Sequence, residues 1–165
     1  MIRRRWMLFA MLGVAACHAS PNSEYYALSA EDGSEPVNMV LSNVTLPGLL
    51  DRPQIILKSG PNDITILEYK RWAEPLDTMI KRVLAEDLNA SISHPPANAQ
   101  QLSVSIDEFD ADTSGSVVLR AHWTVRSTRH AFAKSESVDS GDTDAIVAAM
   151  SRLLNDLAGA IRHQS

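Results

Sequence analysis

The chain has a single cysteine, Cys17, among 165 residues, so no disulfide can form within it and the fold must stand on packing alone. The apolar run near the N-terminus, Trp6 to Val14, is far shorter than the roughly 20 residues a membrane-spanning helix needs. Neither a P-loop nor a G-x-G-x-x-G pattern occurs, which removes support for nucleotide binding. No G-x-S-x-G elbow presents a serine nucleophile. His94, His122 and His130 are scattered and form no H-x-x-x-H or Cys/His pattern that would hold zinc. There is no repeat of solenoid length and no low-complexity tract. These gaps leave no pattern that argues for catalysis, a metal or a cofactor.

What remains is ordinary globular composition, 45% hydrophobic and 21% charged, over a length that suits one domain. The N-terminus stands apart. Met1-Ile2-Arg3-Arg4-Arg5 is a basic region, the apolar run follows, and Val14-Ala15-Ala16 leads directly into Cys17. Small residues before a cut site mark signal-peptidase processing, and a lone cysteine at that place resembles a bacterial lipobox, in which the cysteine is acylated and becomes the mature N-terminus. An ordinary signal peptide with an incidental cysteine is the competing reading. The chain therefore divides into a lipoprotein-type signal peptide over 1–16, a lipidated tether over 17–24, and a domain over 25–165. His18 follows the cysteine where an acidic residue would signal inner-membrane retention, which favours the outer membrane. Cleavage removes Arg3, Arg4 and Arg5, lowering Lys+Arg from 15 to 12 against 20 Asp+Glu, so the formal net charge moves from −5 to −8. An acidic domain is poorly suited to nucleic acid or to an anionic lipid surface, so its membrane attachment falls to the acyl chains.

Along the domain, Tyr25 to Leu28 reads as a strand, and Val37 to Leu46 as a longer one. In the latter, Val37, Met39 and Leu41 share a face until Asn43, after which Val44 and Leu46 lie on the other, a phase switch that predicts a bulge or a strand buried on both sides. Leu46-Pro47-Gly48-Leu49-Leu50-Asp51-Arg52-Pro53-Gln54 is turn-rich. Ile55 to Lys58 and Ile64 to Leu67 form a hairpin around Ser59–Asp63. After Tyr69 to Pro75 comes the clearest helix, with Leu76, Ile80, Val83, Leu84 and Leu88 on one stripe and Pro75 in its first turn. His94-Pro95-Pro96 interrupts any continuation.

Leu102, Val104 and Ile106 alternate with polar residues, and Val117, Leu119, Ala121, Trp123 and Val125 share one face of a second strand whose other face carries Val118, Arg120, His122, Thr124 and Arg126. The turn between them, Asp110-x-Asp112-x-Ser114-Gly115, begins like a calcium loop, yet Ala121 stands where an EF-hand requires a bidentate Glu. A hairpin turn fits the spacing. Ser127-Thr128-Arg129 turns the chain into a weaker strand from His130 to Val138, suited to a sheet edge. Ser140-Gly141-Asp142 offers an N-cap to a final helix with the stripe Ile146, Val147, Met150, Leu153, Leu154, Leu157 and Ile161. The expected fold is α+β: one domain, a mixed or antiparallel sheet, two long helices packed on one face. Trp72 and Trp123 suit core or interface anchors better than a ligand cage, and Arg52 and Arg71 either meet a carboxylate or face water.

In order and content the chain resembles the ABC-type transport auxiliary lipoproteins, the PqiC (YmbA) family. The matching features are the lipobox at Cys17, Tyr25-Tyr26-x-Leu28, Val44-x-Leu46-Pro47-x-x-Leu50-Asp51-Arg52-Pro53-Gln54, Arg71-Trp72-Ala73-Glu74-Pro75-Leu76 and Val117-Val118-Leu119-Arg120-Ala121-x-Trp123. Gly48-Leu49 departs from the bulkier residue expected before Leu-Asp-Arg. The resemblance implies a periplasm-facing lipoprotein, usually of the outer membrane. Such a protein works with an MCE-domain (PqiB-like) protein and inner-membrane transport components that move lipids between membranes and maintain envelope integrity. It implies Cys17 as the anchor and places partner docking in the Leu46–Trp72 region, on Leu46, Pro47, Leu50, Asp51, Arg52, Pro53, Arg71 and Trp72. The edge strand His130–Val138 would support a homo-oligomer. Two other classes stay open: a plug or chaperone of an outer-membrane β-barrel, and a periplasmic lipid-binding carrier, which needs an apolar cavity between sheet and helices.

Overall fold

Hydrophobic alternation at period two needs a sheet with one buried face, and stripes at period 3.6 need helices laid on it. The computed structural model, which describes residues 21–31, 35–92, 97–139 and 142–164, builds that arrangement. Its strands are β1 (Glu24–Tyr26), β2 (Met39–Thr45), β3 (Gln54–Lys58), β4 (Ile64–Trp72), β5 (Gln100–Asp112), β6 (Ser116–Val125) and β7 (Thr128–Ser137). Helix α1 (Leu76–Leu88) follows β4, and α2 (Thr143–Arg162) is the last element of the described residues. The seven strands form one sheet in the order β1-β4-β3-β5-β6-β7, with β2 also paired to β5. The sheet is mixed: β1–β4, β2–β5 and β3–β5 are parallel, whereas β3–β4, β5–β6 and β6–β7 are antiparallel.

Strand β5 is the hinge of this topology. Its first half borders β2, from Leu41 opposite Leu102 to Thr45 opposite Ser105, and its end borders β3, with Leu57 opposite Ala111. A register shift between Ile106 and Glu108 makes the change of neighbour possible. It also moves the buried set from Leu102, Val104 and Ile106 to Phe109 and Ala111. The switch expected in β2 is a shift between Leu41 and Asn43, where the Ser42 hydroxyl donates to the Leu102 carbonyl at 2.8 Å.

Both helices bury their stripes on the same face. Leu76, Met79, Ile80, Val83, Leu84 and Leu88 of α1 meet Ile146, Met150, Leu153, Leu154, Leu157 and Ile161 of α2 within one core that includes Val117, Leu119 and Trp123. The side chain of Asp142 caps α2 by accepting from Asp144 N at 3.2 Å, while Ser140 and Gly141 lie outside the described residues. Trp123 is fully buried, its ring stacked on His130 with centroids 5.2 Å apart.

Several local expectations are corrected. Strand β1 stops at Tyr26, and Leu28 instead enters the core, its N–H against the Met79 sulfur. Pro75 is the N-cap of α1, one residue before its first turn, with extended backbone and no side chain able to cap. The segment Glu68–Trp72 continues β4 through a register shift opposite Gln54 and Ile55. Asp110 belongs to β5, and the hairpin turn closes at Asp112, whose Oδ1 accepts from Ser114 N, Ser114 Oγ and Ser116 N at 2.8, 2.6 and 3.0 Å. The β6–β7 turn is the two residues Arg126 and Ser127, both at positive φ, the twist a tight hairpin demands. The connector His94-Pro95-Pro96 lies outside the described residues.

Candidate docking surface

The loop from Leu46 to Pro53 is folded by its own backbone. Leu50 N donates to Pro47 O and Arg52 N to Leu50 O, each at 2.9 Å, so two tight turns follow each other. They point Leu50 inward, where it is buried against the space lined by Trp72, Leu76, Phe109, Ile146 and Met150. They leave Leu49 exposed and Arg52 at the rim, its Nε donating to Leu49 O at 3.0 Å. The loop is joined to the end of β4 by a bond from Trp72 N to Pro53 O at 2.8 Å, and the next residue, Ala73, donates to Tyr26 O at 2.9 Å.

Between these segments and the start of α1 lies an open cleft of about 310 Å³, lined by Asp51, Arg52, Pro53, Trp72, Glu74, Pro75 and Leu76. Its floor is apolar, formed by Trp72, Leu76 and the two prolines, and its rim carries Asp51, Arg52 and Glu74. A concave apolar surface with few charges is the form that accepts an anchor side chain from a partner. Glu74 is held by Arg82, whose Nη2 and Nε donate to Oε1 at 3.0 and 3.2 Å. That hydrogen bond raises the Arg82 pKa further above its ordinary value. Arg82 also reaches Glu86 at 3.5 Å, one turn on.

Four of the eight residues singled out from the sequence, Asp51, Arg52, Pro53 and Trp72, therefore meet around the cleft. Leu50 lies beneath it in the core, Leu46 packs on the core from the loop's start, and Pro47 is spent on the turn. Arg71 points to the other face of β4, opposite Tyr25, with its Nε donating to Glu68 O at 3.4 Å. Neither Arg52 nor Arg71 is in an ion pair among the described residues; each guanidinium donates to the carbonyl three residues back. Glu74, Pro75 and Leu76 were missed as lining residues although they sit in the same Arg-Trp-Ala-Glu-Pro-Leu stretch. Cys17 lies outside the described residues. Among the described residues no group of three or more His, Cys, Asp and Glu could hold a metal ion, and no helix is long and apolar enough to cross a membrane.

The family described as the ABC-type transport auxiliary lipoprotein component matches residues 26–162, nearly all of the folded domain. The chain belongs to this family. Among solved structures, an uncharacterized protein shares the fold of this chain at a TM-score of 0.73 and 18% identity, covering 88% of this chain and 100% of the other. A Xanthomonas campestris protein of the DUF330 family matches with a TM-score of 0.66 and 17% identity over 84% of this chain and 92% of its own. No curated protein matches the chain in sequence. The matched span includes the whole cleft, so the surface described above is part of the family's domain.

Proposed function

We propose that this auxiliary lipoprotein is a non-enzymatic, outer-membrane-anchored subunit of an MCE-type intermembrane lipid transport system, held by acylated Cys17 and facing the periplasm. In this reading the signal peptide ends at residue 16, the tether occupies 17–24, and the domain docks on the MCE-domain (PqiB-like) tunnel protein, receiving or capping its end. The observation that carries it is the apolar cleft rimmed by Asp51, Arg52 and Glu74, lying within the span matched by the transport-auxiliary family. The acidic mature charge would steer a partner surface with basic groups. Strand β7, ten residues long at the end of the sheet order, offers its outer edge to a second copy.

A lipid carrier would need a chamber between sheet and helices. The enclosed space against Leu50, Trp72 and Phe109 there is about 10 Å³, room for about one water and none for an acyl chain. The deciding experiment is a crosslinked pull-down of the full-length protein from membranes beside Cys17→Ala. Recovery of an MCE-domain protein with the lipidated form alone supports the reading. Recovery of an outer-membrane β-barrel, or of phospholipid with no protein, overturns it.

A further inference from the structure

The sheet has a second face, covered by neither helix, and its β1–β4 end is apolar. Register places the side chains: Tyr26 and Trp72 are opposite one another and turn toward the core, so Tyr25 and Arg71, also paired, turn outward. Lys70 reaches α2, its Nζ donating to Thr143 Oγ1 at 2.8 Å, so its neighbour Tyr69 turns outward as well. Ile64 is paired with Lys58, whose ammonium bonds Glu108 and Asp110 on the outward face, and Ile66 follows it on that face. Tyr25, Tyr69, Ile64 and Ile66 are 67%, 48%, 42% and 39% exposed, four of the six large apolar side chains that the described surface exposes. They form one stripe along β4 with Arg71 at its end.

We propose that this stripe rests on the lipid surface to which the chain is anchored, so that the domain is oriented on the membrane rather than free on its tether. The inference rests on Cys17 as the lipid anchor. Two further observations select lipid as the occupant. Because β1 runs parallel to β4, the chain read backward from Glu24 leaves the sheet beside Lys70 in the direction of Ile66 and Ile64, along the stripe. From Glu24 back to Cys17 are seven residues, a reach of at most roughly 25 Å even if fully extended. Along β4 the distance from Lys70 to Ile64 is about 20 Å, so an acylated Cys17 holds the start of β1 within a distance of the bilayer similar to the length of the stripe. The composition suits the interface: tyrosines lie with ring in the apolar boundary and hydroxyl among headgroups, and Arg71 is placed to meet phosphates. The apolar side chains and Arg71 hold this contact against the repulsion between the acidic domain and anionic headgroups.

The test uses full-length protein in proteoliposomes of phosphatidylethanolamine and phosphatidylglycerol with brominated acyl chains, after intact mass has established acylation. With Cys17 acylated, one introduced cysteine is the only free thiol and carries the fluorophore. Probes at Ile66→Cys and Tyr69→Cys should shift to the blue and lose most of their emission, whereas probes at Asp77→Cys on α1 and Arg129→Cys at the far end of the same sheet face should keep theirs. A probe at Arg71→Cys, at the end of the stripe, should be quenched in the native background and recover when Tyr25→Ser, Ile66→Ser and Tyr69→Ser are added. Quenching that is equal at all sites or absent from the stripe overturns the proposal, as does a stripe protected only once a protein partner is added. An acylated protein without stripe quenching removes the orientation and leaves the anchor; an unacylated mass removes both.

Discussion

The N–H of Trp72 donates to the carbonyl of Pro53 at 2.8 Å, and that bond closes the wall of the cleft between the β2–β3 loop and the end of β4. Trp72 is buried, so it serves the fold first and the cleft floor second. Trp72→Ala should destabilise the protein by about 3–5 kcal/mol in urea titrations. Arg52→Glu, at the rim, should change stability by no more than ~0.5 kcal/mol while abolishing the crosslink to the partner. Loss of both stability and crosslink in Arg52→Glu would make the rim structural and sink its docking role.

Asp110 is buried on the outward face of β5, and Lys58 meets it at 3.1 Å while also contacting Glu108, which Arg120 holds from its other oxygen at 3.0 Å. Burial raises the Asp110 pKa, and the Lys58 hydrogen bond opposes that rise. Lys58→Met strands the carboxylate and should cost ~2 kcal/mol, less than a fully buried pair would because Lys58 is 39% exposed. Adding Asp110→Asn should recover most of the loss; a double variant no more stable than Lys58→Met would show that the packing of the lysine stem, not its charge, matters.

Asp87, at the end of α1, is fully buried, and its pKa is raised from 3.8 to about 6, first by desolvation, against a hydrogen bond from Glu31 N at 2.8 Å. The folded state thus holds this proton after the unfolded chain has lost it, so stability is greatest below pH 3.8 for this group and falls as pH rises from there to about 6. The loss is on the order of 2–3 kcal/mol. Asp87→Asn, which keeps an acceptor for Glu31, should therefore be more stable than the native chain at pH 7.5 and nearly equal to it at pH 4. Parallel pH profiles for the two proteins in chemical denaturation would refute this.

Gly115 closes the β5–β6 hairpin at φ +89°, and a Cβ there would lie 2.4 Å from the Val138 carbonyl. Strain and clash together predict that Gly115→Ala costs about 2–3 kcal/mol and lowers the melting temperature. Gly48, with open space around it, should accept alanine with little change.

The elements read correctly from the sequence are those whose signal is local and uninterrupted. The stripes of α1 and α2 and the alternation in β6 emerge where periodicity placed them, because one buried face imposes one period. Even the irregularity of β2 was legible, since the shift after Leu41 reverses the alternation. Elements that cross a bulge were not. β5 appeared to end at Ile106 because the shift at Asp107 hands the buried phase to Phe109, and β4 appeared to end at Leu67 because of the irregularity opposite Gln54. The structure brings Asp51, Arg52, Pro53 and Trp72 together around the cleft, and the candidates it places elsewhere are displaced for specific causes. Leu50 is drawn into the core by its apolar side chain, and Arg71 is sent to the opposite face by the alternation that buries Trp72.

By itself the sequence determined the class: one domain without internal disulfides, two amphipathic helices, and strands with one face to bury. These follow from periodicity and composition, which act over a few residues. Only the tertiary structure decided that β1 joins β4 in parallel, that β2 and β3 share β5, and that Asp51, Arg52, Pro53 and Trp72 meet Glu74, Pro75 and Leu76 around one cleft. Those pairings close loops of tens of residues. Their choice depends on which buried faces fit together across the whole core, a balance no short window of sequence contains.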